Sequence, residues 1–139
     1  MIETENVEFK SELNDKFEKE IVAFLNTDGG TLYLGVTDSG DVIGVENIDY
    51  VASQVTNRIK DNILPSVLGI FDVSILDQDG VQLLKIDVAS GIEKPYYVKK
   101  YGMSPKGCSI RVGTQAVAMD EKIITTWYSR RVINTLHNI

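Results

Sequence analysis

Histidine and cysteine are almost missing from this chain, which carries one of each, His137 and Cys108, in 139 residues. A lone cysteine excludes an internal disulfide and every multi-cysteine zinc site. A lone histidine leaves neither a Ser-His-Asp triad nor a histidine-rich metal centre to assemble. Long apolar runs are also lacking, and none approaches the ~20 residues that a membrane-crossing helix needs. The opening MIETENVEFK is acidic and has no apolar centre, so no secretory signal and a cytoplasmic location are expected. No G-x-x-x-x-G-K-[ST] segment occurs, so no ATP site of the P-loop kind is expected. The glycine-rich stretch Asn26-Thr27-Asp28-Gly29-Gly30 follows a predicted helix and precedes a predicted strand, the reverse of a phosphate loop. It reads as a helix cap and a tight turn. Any chemistry is left to carboxylates, lysines and tyrosines.

What is present is an ordinary globular balance, 43% hydrophobic and 24% charged, enough for one domain with a real core. The formal net charge is −6, but it is unevenly spread. Met1 to Glu93 holds 6 basic and 18 acidic residues, net −12, whereas Lys94 to Ile139 holds 8 basic and 2 acidic, net +6. Such a contrast points to a charged partner for the basic third, unless the two parts interleave in space and cancel.

Val7 and Phe9 alternate with Glu8 and Lys10, a short half-buried strand. A helix is predicted over 14–27, with Asn14 as N-cap and Phe17, Ile21, Phe24 and Leu25 as its apolar stripe. Gly29-Gly30 ends it. Strands follow at 31–36 and 42–45 around Asp38-Ser39-Gly40-Asp41. A second helix is predicted over 48–63, bearing Ile48, Ala52, Val55, Ile59 and Ile63, and closed by Pro65. Strands at 67–76 and 81–88 flank Asp77-Gln78-Asp79-Gly80, a hairpin signal. The loop-rich 90–107 holds a short strand at 96–98, Ser109 to Val112 is the last predicted strand, and a terminal helix opens at 118–119 and runs to about Asn134, with Ile123, Ile124, Trp127 and Tyr128 on its apolar side. The order predicts a single two-layer α+β domain over 1–139, in which a mixed, mostly antiparallel sheet packs against about three helices.

Two groups of residues could carry function. Glu3, Glu8 and Asp38 are candidates for a carboxylate cluster, with Lys10 on Glu8's face of the strand. Brought together, such carboxylates repel, and a hard cation such as magnesium or manganese would relieve the repulsion and hold a phosphate oxygen. Glu3 and Glu8 lie an odd number of positions apart, so they converge only if the chain bends near Asn6; otherwise they are solvated acids on an edge strand. The second group is Lys94, Tyr96, Lys99, Lys100, Tyr101, Lys106 and Arg111, in a stretch where bases and aromatics interleave. Lysine and arginine neutralise phosphates and tyrosine rings stack on unpaired bases, while tyrosines in strands also serve as core.

The residues also carry a family pattern. E-x-x-x-x-E-F-K is Glu3 with Glu8-Phe9-Lys10, and A-F-x-N-T-x-G-G-x-L-x-x-G-V-x-D runs from Ala23 to Asp38. Gly40, Gly44-Val45, Lys94-Pro95-Tyr96 and Arg111-Val112-Gly113 follow in order. Together these resemble the Schlafen AlbA-like domain over nearly the whole chain. The resemblance implies a DNA-binding module of bacterial transcriptional regulators and helicase-like proteins, commonly followed by an ATPase-like or winged-helix region; the chain would then be either the N-terminal fragment of a longer regulator or a free-standing member. In vertebrate Schlafens two such lobes are joined, and some cleave transfer or ribosomal RNA with metal-bound carboxylates, whose positions here would be Glu3, Glu8 and Asp38.

Three functions follow as expectations. The first is a nucleic-acid-binding domain, DNA-directed and transcription-regulatory, needing no cofactor. The second is a magnesium- or manganese-dependent endoribonuclease acting on structured RNA through Glu3, Glu8, Asp38 and Lys10. The third is a non-catalytic interaction or dimerisation domain. A homodimer is expected, because one lobe offers little enclosed groove, and no membrane partner is.

Overall fold

Val7–Lys10 (β1), Phe17–Leu25 (α1) and Gly30–Leu34 (β2) make a strand–helix–strand unit whose strands run parallel, Val7 beside Thr31 and Lys10 beside Leu34. A parallel pair needs a crossover connection, and the amphipathic α1 supplies it, burying Phe17, Ile21, Phe24 and Leu25. The computed structural model describes residues 1–137 and the side chains of 1–133, so the His137 side chain lies outside the described residues. α1 begins later than predicted because Asn14 closes an Asx turn instead of capping the helix: its Oδ1 accepts the Lys16 N–H at 2.9 Å. At the other end the Gly29 N–H reaches the Phe24 carbonyl at 2.9 Å with φ +75°. A Cβ there would lie 2.6 Å from the Val88 carbonyl oxygen, so both conformation and space demand glycine.

The predicted strand at 42–45 is not formed. A single bridge joins Val36 to Val42. The N–H groups of Ile43 and Gly44 both turn to the Gly35 carbonyl, at 2.8 and 2.9 Å, and that of Val45 to Gln82 at 2.9 Å. The segment thus folds over the sheet rather than extending it, and Val36 and Val42 join Phe9, Tyr33 and Leu83 in a small core on that face.

Ile48–Asn62 (α2) leads through Ile63–Leu64 (β3) to Phe71–Gln78 (β4) and Val81–Val88 (β5). β4 and β5 form a hairpin around Asp79-Gly80, whose positive φ values of 55° and 83° match the twist of paired strands. The sheet order is β1-β2-β5-β4, with β2–β5 and β5–β4 antiparallel. Its main core lies under α1 and α2, where Leu32, Leu34, Leu84 and Ile86 meet Ile21, Phe24, Val55 and Ile59. The predicted mixed sheet and three helices are present.

Two short ribbons lie outside that sheet. Tyr97–Val98 (β6) pairs with β3, and Ser109–Val112 (β7) pairs with Gln115–Ala118 (β8). β8 was not predicted: Gln115-Ala116-Val117-Ala118 is short and weakly apolar, and it forms because it folds back on β7. Glu121–His137 (α3) docks through Ile124 on Cys108 and Met119, with Trp127 half-buried beside them. Ile123 and Tyr128, expected on the packed side, are 41% and 44% exposed. No helix among the described residues is long and apolar enough to cross a membrane.

Candidate nucleic-acid interface

The loop from Lys99 to Gly107 is short, and it is held by its own backbone. Val98 N–H donates to the Gly107 carbonyl at 2.9 Å, closing its neck. Tyr101 N–H donates to the Val98 carbonyl at 3.0 Å, and Ser104 Oγ donates to the Tyr101 carbonyl at 3.0 Å. A further bond, from Lys99 N–H to the Asn62 carbonyl at 2.8 Å, ties the loop to the end of α2. The loop therefore projects Lys99, Lys100, Tyr101 and Lys106, all exposed, from a fixed base.

Facing it, the start of α1 contributes Lys16 and Lys19, three residues apart and so on one side of the helix. Between the two walls lies a groove of about 990 Å³, whose lining includes Lys16, Lys19, Arg58, Lys99, Lys100 and Lys106 against only Asp15 and Glu18. Six bases against two acids give a local excess of four positive charges in a chain whose net charge is −6. Glu18 is neutralised in place: Arg58 Nε donates to its Oε2 at 2.9 Å, Arg58 Nη2 also bonds its carboxylate, and Asn62 Nδ2 donates to Oε2 at 2.9 Å. Burial pushes the Glu18 pKa up, but these bonds outweigh it and hold the carboxyl below the usual range. Inside the groove Tyr101 is flanked by two ammonium groups, Lys106 Nζ 4.3 Å and Lys100 Nζ 5.5 Å from the ring centroid.

Of the predicted basic and aromatic set, Lys99, Lys100, Tyr101 and Lys106 share this groove. The other three do not. Tyr96 is 1% exposed and belongs to the core. Lys94 Nζ donates to Ser90 Oγ and to the Gly91 carbonyl, each at 2.8 Å, beside a separate cavity near Trp127 and Arg130. Arg111 is an interior residue whose side chain is 2% exposed, so it offers nothing to a phosphate. Lys16, Lys19 and Arg58 were missed because they lie in the acidic part of the sequence. The i, i+3 spacing of Lys16 and Lys19, on the polar side of a recognisable amphipathic helix, was the available signal.

Arg111 organises the carboxylates instead. Its Nη1 donates to Glu8 Oε2 at 2.5 Å and to Glu20 Oε2 at 3.3 Å. Nε donates to the Glu5 carbonyl at 3.1 Å, and Nη2 to the carbonyls of Thr4 at 2.9 Å and Val7 at 3.1 Å. Those bonds hold residues 4–7 in a tight turn, seen also as a bridge between Thr4 and Val7. This is the bend near Asn6 that convergence of Glu3 and Glu8 required. Glu3 Oε1 accepts the Phe9 N–H at 3.1 Å, and its carboxyl lies near enough to Glu8's for the two to perturb each other. Burial, the bond with Glu8 and the nearby charges of Glu8 and Asp38 raise the Glu3 pKa to about 7. Glu20 is also raised, by burial and by Glu8, against the pull of Lys10 and Arg111. Lys10 Nζ sits 3.7 Å from Glu20 Oε1. Glu8 is thus not a solvated edge residue: it is 6% exposed.

A resident magnesium or manganese would need several oxygens converging at ~2.1 Å. Among the described residues no group of three or more His, Cys, Asp or Glu side chains is arranged to hold a metal ion. Glu3 and Glu8 meet, but the nearest cation to Glu8 is a guanidinium fixed by three backbone carbonyls. The donor set present does not fit a resident metal.

Comparison with known proteins agrees with this architecture. No curated protein matches the chain. Among solved structures, the crystal structure of the DIP2311 protein from Corynebacterium diphtheriae is similar, with a TM-score of 0.63 and 24% identity. The match covers 91% of this chain and 24% of that one, so the chain spans about a quarter of that protein's length and the likeness is one of fold. The family model described as "Schlafen, AlbA_2" matches residues 3–120, from Glu3 through β8 to the residue before α3. On that match, the chain belongs to the Schlafen, AlbA_2 family.

Proposed function

We propose that this domain binds nucleic acid in the groove between α1 and the Lys99–Gly107 loop. The observation that carries the reading is the convergence of six basic side chains and one exposed tyrosine on one concavity of an otherwise acidic molecule. A polyanion is repelled by most of this surface and attracted here, so the field orients it before contact. Family membership supports the same reading. The finer expectations belong to this proposal: a DNA-directed regulatory role, which rests on the resemblance, a homodimer, which rests on the little groove of one lobe and on the resemblance, and a cytoplasmic location, which rests on the acidic opening segment. We favour the binder over the nuclease because Glu8, one of the carboxylates a nuclease would use, is bonded to Arg111.

The test is binding of labelled DNA and RNA, single- and double-stranded, across a salt series with and without manganese. Lys99→Ala with Lys100→Ala should weaken every ligand similarly and reduce the slope of log K against log salt by roughly 1.4–1.8, two contacts' worth. Unchanged affinity and slope would remove the groove from the interface. Manganese-dependent cleavage that Glu8→Gln abolishes would replace the binder with the nuclease.

A further inference from the structure

We infer that the groove takes unpaired nucleotides, a single strand or an exposed loop of DNA or RNA, with Tyr101 as the surface on which a base stacks. This rests on the nucleic-acid reading of the groove and deepens it to a substrate class.

The shape of the site is the first argument. Readers of duplex DNA push a helix or ribbon outward into a groove about 12 Å wide. Here the bases line a depression, and α1 presents only its first turn there. Positive charge stands on both walls, Lys16 and Lys19 on one and Lys99, Lys100 and Lys106 on the other. That arrangement suits one phosphate chain running between them.

The second argument is the lining between the charges. Val98, Pro105, Ala118 and the Tyr101 ring share the groove with the lysines. Tyr101 is 39% exposed and its backbone is fixed at both N–H and carbonyl. In a duplex every base already stacks on its neighbours, so such a surface finds no base face to meet. Unpaired bases keep theirs open, and stacking on an aromatic tolerates any sequence. A base arriving on the ring takes the place of an ammonium over it. Lys106 and Lys100 both sit on flexible four-carbon stems, so the displaced group remains within reach of the incoming phosphate.

The experiment is fluorescence anisotropy at one salt concentration on short oligonucleotides: single-stranded DNA, single-stranded RNA, the matching duplexes, and an abasic strand that keeps the phosphates but lacks bases. Single strands should bind about tenfold more tightly than duplexes and than the abasic strand. Tyr101→Ala should cost single strands roughly five- to tenfold, leave duplex affinity within about twofold, and leave the salt slope unchanged, while Tyr101→Phe should retain binding. Equal or tighter duplex binding, or a folded Tyr101→Ala protein with unaltered single-strand affinity, would overturn the inference. If the lysine pair still controls binding in that case, the groove stands as a phosphate site and only the unpaired-base reading fails. If the lysine pair is silent too, both fail.

Discussion

Replacing Arg111 with methionine keeps an unbranched stem of similar length and deletes the charge. The side chain is 2% exposed, and its partners Glu8 and Glu20 are 8% and 11% exposed at their side chains. Breaking a buried ion pair by removing one partner costs about 3–5 kcal/mol, because a charge is left without compensation. Two opposing features fix where in that range Arg111→Met should fall. Glu8 is orphaned, and Glu20 loses one of its two cations and keeps Lys10 at 3.7 Å, which pushes the cost up. The turn at residues 4–7 can detach and let water in, which pushes it down; its freed carbonyls then hydrate and add little of their own. We expect a loss of ~3 kcal/mol at pH 7.5, read as a lower urea midpoint at unchanged m-value. The deficit should shrink on acidification. Glu3 and Glu20 both have folded pKa values above the ordinary one, Glu3 at about 7. Each therefore adds stability that is complete below the unfolded pKa near 4.5 and lost as pH rises through the folded value. Without the guanidinium the Glu20 pKa climbs further, so the variant should recover part of its deficit by pH 5.5. Adding Glu8→Gln to Arg111→Met should restore part of the loss at pH 7.5. A deficit below about 1 kcal/mol, or one of equal size at both pH values, would refute the role assigned to this arginine.

Two further outcomes follow from buried groups. Asn26 Nδ2 donates to the carbonyls of Tyr96 at 3.0 Å and Ser109 at 2.9 Å, and its Oδ1 accepts the Tyr96 N–H at 2.7 Å. Asn26→Ala strands three backbone groups and should cost at least ~3 kcal/mol in a urea titration; a loss under about 1 would mean the groups find other partners. Cys108 is buried, and desolvation raises its thiol pKa to about 11, so iodoacetamide should label it at pH 7.5 only after denaturation.

How far the sequence could be read depended on how local the cause was. The stripe Phe17, Ile21, Phe24, Leu25 and the Asp79-Gly80 turn are decided within a few residues, and the corresponding elements were predictable. Glu8 was misjudged because its solvation depends on a residue 103 positions away. In a strand read by itself, alternation makes Val7 and Phe9 the inner face and Glu8 the outer one. In the fold both faces are covered: Phe9 lies in the smaller core, while Glu8 points toward α1 and Arg111. The same blindness made Arg111 a phosphate contact and hid Lys16 and Lys19, since a net-charge count by segment cannot show which segments become neighbours. Tyr101 and Tyr96 are five positions apart in one basic stretch, yet one lines the groove and the other fills the core. Only the loop closed by Val98 and Gly107 separates them.

The clasp made by Arg111 also orders events during synthesis. The ribosome delivers Glu8 and Glu20 early and their counter-charge late, across separations of 103 and 91 residues. Until then Glu8 lacks the guanidinium that accompanies it out of water and Glu20 has only Lys10 beside it, so the front of β1 must stay wet. The β4–β5 hairpin, joined by two residues, has no such wait. The nascent chain should therefore assemble from its middle, and residues 1–7 should be the last part of the sheet region to resist a protease added to stalled translation complexes.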